Sequence, residues 1–183
     1  MKRVLVALAP GFEEVEALTV VDILRRAGAE VTVAGTAEGL IEGRSRIRVA
    51  PDRVLDEGLA AEGFDMLVLP GGGPGTENLK KNALVLEMVR RLDAQGAFVA
   101  AICAATTVLS EAGVTAGRRM TGHPTVWDRL KAKEVSTERV VADGNLITSQ
   151  GAGTAMEFAF RLAGALFGPR KAEEVNRGVL ARV

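Results

Sequence analysis

The sequence is poor in the residues that build disulfides and metal clusters: its 183 residues include one cysteine and one histidine. A single cysteine permits no intrachain disulfide, and zinc sites made of several cysteines are excluded. A reducing cytoplasm is therefore the expected location. Any cysteine–histidine pair in this chain must be formed by Cys103 and His123.

Neither sign of charge predominates, because 23 basic residues balance 23 acidic ones. This balance gives no support for nucleic acid, a membrane surface or a polyanion as the main partner. No apolar run approaches the roughly 20 residues that a membrane span needs. The opening stretch MKRVLVALAPGF is too short for a signal peptide and predicts a first strand. We expect a single domain over residues 1–183.

Short β-rich runs alternate with longer helical ones along the chain. The predicted strands are RVLVALA, EVTVAG, MLVLP, FVAAIC and LITSQ. The predicted helices cover Glu13–Ala27, Ala83–Gln95, Ala104–Ala112, Thr154–Phe167 and Arg170–Leu180, and glycine follows the first four. Asp143-Gly144 predicts a hairpin turn, and EGLIEGRSRIRVAPD a second hairpin or excursion. The alternation indicates an α/β fold with a mostly parallel sheet covered by helices on both faces.

Glu16 lies in an unexpected sector of the first helix. At about 100° per residue, it shares a face with apolar residues: Ala17, Val20, Ile23, Leu24 and Ala27. The far side carries Glu14, Asp22 and Arg25, which we expect to face solvent. A buried carboxylate is costly unless it is protonated or partnered. The helix alone leaves two interpretations, a residue at the rim of the core or a functional acid.

Cys103 follows a strand and precedes a helix, with Ala101 and Ala105 two residues away on each side. A tight strand–nucleophile–helix turn needs small residues at those two places. Such a turn points the side chain out of the sheet edge, where helix N–H groups lower a thiol pKa. The alternative is that Cys103 is a small buried hydrophobic residue. The turn favours a nucleophile.

The segment PGGGPGT follows a neighbouring strand and also has two interpretations. A glycine-rich loop can bind phosphate, but this one lacks the G-x-G-x-x-G and Walker spacings. Alternatively, the amides of Gly72 and Ala104 form a two-donor oxyanion hole for a reaction at Cys103, which we favour. His123, in the stretch TGHP, is either a loop residue or a partner of Cys103.

Together these segments resemble the ThiJ/PfpI superfamily, in its branch around the parkinsonism-associated protein DJ-one and bacterial relatives (DJ-one/YajL-like). The resemblance rests on RVLVALAPGFEEVEA, RRAGAEVTVAG, VLPGGGPGTENL, VAAICAATTVL, TGHP and ITSQGAGTAMEFA. These stretches reach from the first strand to the last part of the chain. The combination of AIC-A-A with an upstream E-E-x-E and LPGG is far more specific than a lone glycine motif.

The resemblance implies a flavodoxin-like three-layer sandwich related to class I glutamine amidotransferases. It implies that Cys103, Glu16 and His123 are catalytic, with Glu16 protonated against the thiolate. It also implies backbone oxyanion donors at Gly72 and Ala104. It also implies a homodimer, for which helix Glu13–Ala27 is the expected surface. It leaves open which of three residues lines the site: Arg44, Ser45 or Arg46.

Three functions remain to be weighed. The first is cofactor-free processing of reactive aldehydes or glycated protein and nucleotide, as glyoxalase (methylglyoxal to lactate) or deglycase. The second is an oxidative-stress sensor or chaperone that acts through a Cys103 sulfinate. The third, a cysteine amidase or peptidase, is least favoured, because Ala104 stands where the protease-like branch has histidine. No cofactor and no metal is expected.

Overall fold

The computed structural model describes residues 1–181, so residues 182 and 183 of the expected 1–183 domain lie outside the described part. The strands are β1 Arg3–Leu8, β2 Glu30–Gly35, β3 Ile41–Glu42, β4 Arg48–Val49, β5 Arg53–Val54, β6 Met66–Leu69, β7 Phe98–Ile102, β8 Arg119–Met120, β9 Glu134–Val135, β10 Val140–Asp143 and β11 Leu146–Ser149. The helices are α1 Glu14–Ala27, α2 Glu57–Ala61, α3 Gly73–Lys81, α4 Ala83–Ala94, α5 Thr106–Ala112, α6 Ala155–Phe167 and α7 Pro169–Val179.

The central sheet has seven strands in the order β10-β11-β7-β6-β1-β2-β5. Every neighbouring pair is parallel except β10 and β11, which form an antiparallel hairpin. The hairpin predicted at Asp143-Gly144 is therefore confirmed. The mostly parallel sheet is confirmed too, and it places the carboxyl ends of β1, β6 and β7 side by side.

Both faces of the sheet are buried. In β1, Val4 and Val6 pack on the side of α1 and α6, whereas Leu5 and Ala7 pack on the side of α4 and α5. Successive side chains of a strand point to opposite faces, so a strand buried on both sides must be apolar throughout. This explains the near-continuous apolar runs and confirms the three-layer α/β architecture.

Left-handed glycines close two of the predicted helices. Gly28 follows α1 with φ 97°, and Gly113 follows α5 with φ 82°. The predicted helix start at Ala104 is wrong, because Cys103–Ala105 form a 3₁₀ turn and α5 begins at Thr106. The glycine-rich segment is also not a loop throughout, since α3 already begins at Gly73.

The predicted excursion after β2 is confirmed. Strands β3 and β4 pair as a small antiparallel hairpin, and β5 then returns to the sheet edge beside β2. Within residues 1–181, no helix is long and apolar enough to cross a membrane.

Candidate active site

The site lies at the carboxyl edge of the sheet, where the segments after β1, β6 and β7 meet. Open α/β sheets place their ligand sites at this edge. The segments are joined through the backbone, because the Glu13 N–H donates to the Gly71 carbonyl over 2.9 Å. In return, the Gly71 N–H donates to Glu16 Oε2 over 2.8 Å. These two bonds hold the start of α1 against the end of β6.

Cys103 occupies a strained turn directly after β7. Its φ is 63°, in the left-handed region that side chains other than glycine rarely adopt. The turn is held from both sides, since the Cys103 carbonyl accepts hydrogen bonds from the Thr106 hydroxyl at 2.8 Å and the His123 N–H at 3.3 Å. Ala101 and Ala105 are fully buried beside it. Cys103 itself is half-buried.

Glu16 projects from the first turn of α1 into this site and is 1% exposed. Burial raises the pKa of its carboxyl from 4.5 to about 7, although contacts with Cys103 and the Gly71 N–H oppose the rise. Within residues 1–181, no hydrogen bond of ordinary geometry reaches the buried oxygen Oε1. The carboxyl and the Cys103 sulfur are close enough to shift each other's pKa. A protonated Glu16 would supply that oxygen's missing contact by donating to the sulfur.

The thiol of Cys103 does not have the low pKa expected from its turn. Burial, and next the negative charge of Glu16, raise its pKa to about 12, while N–H bonds from Ala104 and Gly72 act in the opposite direction. The expectation of a lowered pKa is therefore wrong, because it considered the amides and left out the cost of placing a second charge beside a buried carboxylate.

Glu16 and Cys103 consequently titrate as one pair. The first proton leaves near pH 7 and the second near pH 12, so between these values the pair holds a single proton. When that proton lies on Glu16, the sulfur is a thiolate facing a neutral acid and two amides. This form, in which the pair would provide a nucleophile and an acid at the same time, stays a prediction.

The predicted oxyanion donors, Gly72 and Ala104, act on the electrostatics of Cys103. Their backbone N–H groups both lower the pKa of the Cys103 thiol. Gly72 has φ 92°, and a Cβ there would lie 2.8 Å from the Glu13 nitrogen, so only glycine fits. A carbonyl oxygen bound next to the sulfur could reach the same two donors, and their role as an oxyanion hole stays a prediction.

His123 stands beside the site without pairing to the sulfur. Its Nδ1 contacts the Thr125 hydroxyl at 2.8 Å and accepts the Thr125 N–H at 3.3 Å, which makes the ring the cap of the following 3₁₀ helix. No hydrogen bond between the ring and Cys103 occurs within the described residues 1–181. The partner that acts on the sulfur is Glu16, and a catalytic role for His123 stays a prediction.

Of the three residues that were left open as lining the site, Arg44 acts on it electrostatically. Its charge lowers the pKa of Glu16, as the weakest of the contributions named for that carboxyl. The backbone N–H of Arg44 donates to the Phe12 carbonyl over 2.8 Å, and this bond holds the hairpin excursion over the start of α1. Arg46 takes a left-handed φ of 68° in the same turn.

Glu14 is buried, contrary to the prediction that it faces solvent. It is 4% exposed, and its Oε1 accepts the Ser45 N–H over 2.7 Å. The helical wheel correctly placed Glu14 on the side of α1 that faces away from the sheet. The hairpin excursion covers Glu14 on that side, so its side chain is buried. Gly43 leaves room for this carboxylate, since a Cβ there would collide with it.

Two glycines of the site, Gly71 and Gly151, were not predicted. A Cβ on Gly71 would lie 2.6 Å from Glu16 Oε2 and 2.7 Å from the Cys103 Cβ. Their signal was present in the stretches PGGG and QGAG, but composition cannot tell a close approach from an ordinary turn. Within residues 1–181, no group of three or more His, Cys, Asp or Glu side chains could hold a metal ion.

A model of the DJ-1/PfpI family matches residues 2–165. The chain belongs to the DJ-1/PfpI family. Among its relatives, Protein dj-1beta of Drosophila melanogaster is 44% identical over 182 residues, which span 98% of this chain and 97% of that protein. The Caenorhabditis elegans protein named glutathione-independent glyoxalase DJR-1.2 is 34% identical, with 93% of this chain and 91% of that protein covered.

Solved structures of the DJ-1/PfpI family have the same fold. The crystal structure of Drosophila melanogaster DJ-1beta matches with a TM-score of 0.95 at 42% identity, covering 100% of this chain and 99% of that one. The structure of oxidized Toxoplasma gondii DJ-1 matches with a TM-score of 0.96 at 32% identity and covers 100% of both chains. These matches confirm the predicted flavodoxin-like sandwich and the resemblance noted in the sequence.

Proposed function

We propose that the protein is a cofactor-free enzyme that converts reactive α-oxoaldehydes to hydroxy acids, methylglyoxal to lactate being the model reaction. The observation that carries the proposal is the Glu16–Cys103 pair, which holds one proton between a buried acid and a sulfur at a strained turn. The name of the glyoxalase relative supports the substrate class. Glycated protein or nucleotide is the alternative substrate of the same chemistry.

The reaction begins when the Cys103 thiolate adds to the aldehyde carbon. The N–H groups of Gly72 and Ala104 then stabilise the alkoxide of the hemithioacetal. The protonated Glu16 gives its proton to this alkoxide and becomes a carboxylate. That carboxylate takes the proton from the former aldehyde carbon and returns it to the neighbouring oxo carbon through an enediol, while the hydroxyl proton passes to the oxygen of that neighbouring carbon, which leaves a lactate thioester. Water cleaves the thioester and restores the thiol. Over the cycle one water is added, and no external oxidant or reductant is needed.

A lactate assay tests this proposal. The purified chain should produce lactate from methylglyoxal without glutathione, whereas Cys103→Ser and Glu16→Gln should each reduce kcat/KM by at least about a hundredfold. Glu111→Gln, which removes an exposed glutamate from α5, is the matched control and should retain the rate. Equal rates for the wild type and Cys103→Ser would refute the proposal.

As a second role we propose a sensor of peroxide at the same sulfur, with a chaperone activity as its output. The half-buried Cys103 is accessible to a small oxidant, and a neutral Glu16 can donate a hydrogen bond to a sulfinate. The relative solved in an oxidized form supports this role. Intact mass after hydrogen peroxide should show two added oxygen atoms on the wild type and fewer on Glu16→Gln. Equal oxidation of both proteins would rule out the part assigned to Glu16.

A cysteine amidase or peptidase is not supported, because the His123 ring caps its own helix and Ala104 follows the nucleophile. We propose a cytoplasmic homodimer as the working form. The exposed apolar side chains Val15 and Leu18 on α1, 51% and 39% exposed, suit the surface expected for such a dimer.

A further inference from the structure

Gly151 lies between β11 and α6, and its backbone does not require glycine. Its φ of 166° and ψ of −171° are an extended conformation that any residue adopts. Its carbonyl accepts the Thr154 N–H over 2.8 Å, and its N–H donates to the Thr154 hydroxyl over 3.1 Å. A side chain at this position would leave both bonds in place.

A Cβ on Gly151 would enter the active site without a clash. It would lie 3.5 Å from His123 Cδ2 and 4.0 Å from both Cys103 Sγ and Glu16 Oε1, all ordinary van der Waals distances. The point is therefore equally distant from the nucleophile and from the buried acid. It faces Oε1, the carboxyl oxygen that no ordinary hydrogen bond engages within residues 1–181.

The room for a Cβ at Gly151 distinguishes it from Gly71 and Gly72, the other glycines at the site. A Cβ on Gly71 or Gly72 would come within 3.0 Å of fixed atoms, so folding itself requires glycine there. At Gly151 the fold would accept a methyl group, and the empty space borders the reactive groups instead. Sterics thus explain the first two glycines but do not explain the third.

We propose that Gly151 determines the size of the substrate that reaches Cys103. A carbonyl carbon under attack must come within about 3–3.5 Å of the sulfur, and its second substituent must lie beside it. We place that substituent in the space that a Cβ on Gly151 would take, 4.0 Å from the sulfur and 4.0 Å from Glu16 Oε1. The identity of the substituent as part of an α-oxoaldehyde rests on the proposed function, whereas the limit on access to the sulfur does not.

The variant Gly151→Ala tests the proposal on the full chain, with Gly153→Ala as the matched control. Gly153 belongs to the same turn, is exposed, and a Cβ there meets no atom within 4 Å. The first measurement is alkylation of Cys103 by iodoacetamide and by the bulkier N-ethylmaleimide, together with its oxidation by hydrogen peroxide. Intact mass follows each reaction, and thermal denaturation verifies folding.

In Gly151→Ala we expect modification by N-ethylmaleimide to slow at least about tenfold, the effect that one methyl group commonly has in a tight pocket. Iodoacetamide should slow less, and peroxide should react within about twofold of the wild-type rate. Gly153→Ala should match the wild type throughout. An equal slowing of all three reagents, unchanged rates, or a variant that does not fold would each overturn the proposal, since it requires that a methyl group fits.

The second measurement compares kcat/KM for methylglyoxal, which gives lactate, and for the smaller glyoxal, which gives glycolate. Gly151→Ala should lose more activity towards methylglyoxal than towards glyoxal, whereas a uniform loss would contradict a limit on size. If the wild type converts neither aldehyde, the proposed function fails, and the alkylation series still decides the role of Gly151.

Discussion

Replacing Glu16 with glutamine should stabilise the protein at alkaline pH and much less in acid. In the folded state, burial raises the pKa of Glu16 from 4.5 to about 7. Between these two values the unfolded chain has lost the proton and the folded chain still holds it. Folding therefore binds a proton in this range, and the stability of the wild type falls as the pH rises. Glutamine carries no such proton and escapes the fall.

The magnitude follows from the shift in pKa. Each pKa unit corresponds to about 1.4 kcal/mol, so the wild type should lose about 3 kcal/mol in total between acid and pH 8. Because the unfolded chain is already partly ionised at pH 5, about 2.5 kcal/mol of this loss falls between pH 5 and pH 8. For a chain of this length, that difference corresponds to about 5 to 10 °C in Tm.

Equilibrium unfolding in urea at pH 5, 6, 7 and 8 measures the effect for the wild type and Glu16→Gln. The quantity of interest is the difference in unfolding free energy between the two proteins, since other carboxylates titrate equally in both. Glu111→Gln shows what the loss of one exposed carboxylate does to the same curves. All measurements share one protein concentration, because subunit association would otherwise contribute.

The reasoning would be refuted by a difference between wild type and Glu16→Gln that stays constant from pH 5 to pH 8. A constant difference would mean that Glu16 is ionised in the folded protein already at pH 5. In that case Glu16 could not serve as the acid of the proposed reaction at neutral pH.

Three further predictions concern the same features. The rate at which iodoacetamide alkylates Cys103 should rise with pH around 7, where the pair loses its first proton. In Glu16→Gln the midpoint of this rise should move to the pKa that the thiol has without Glu16. Identical pH profiles for the two proteins would contradict a shared proton. Cys103→Gly should be at least as stable in urea as Cys103→Ala, because a left-handed φ costs a residue with a side chain about 1 kcal/mol or more. A glycine variant that is less stable than the alanine variant by about that amount would show that the turn is unstrained. If α1 forms the dimer surface, Val15→Glu should halve the mass measured by light scattering. Val54→Glu, at an exposed site elsewhere, should leave the mass unchanged. An unchanged mass for Val15→Glu would exclude that surface.

The layered fold could be predicted because its signals are local. The apolar strands, their alternation with helices and the glycines after α1 and α5 all act within a few residues. The short elements could not be predicted in the same way. Strand β5 has only two residues and forms because it lies beside β2, and α2 has five residues. Contacts of this kind depend on distant parts of the chain.

The site was predicted in part, and its failures have one cause. The turn at Cys103 has a local signal in its flanking alanines, whereas the raised pKa of that thiol depends on a carboxylate 87 positions earlier in the chain, at Glu16. The burial of Glu14 likewise depends on the excursion that reaches Ser45. A helical wheel reports which way a side chain points but not what covers it. For these residues, electrostatics and burial become visible only once the segments are assembled.

The wide spacing of the site along the chain has a consequence for folding. The start of α1 supplies the acid, the end of β6 supplies an amide, and the 3.3 Å bond from His123 to the carbonyl of Cys103 fixes the bend. An unfolded chain, in which these segments are apart, therefore carries a thiol with neither its final shape nor its final proton affinity. Such a thiol titrates at about 8.5 like that of a free peptide. Folding thus replaces an ordinary thiol with one whose ionisation is coupled to that of Glu16.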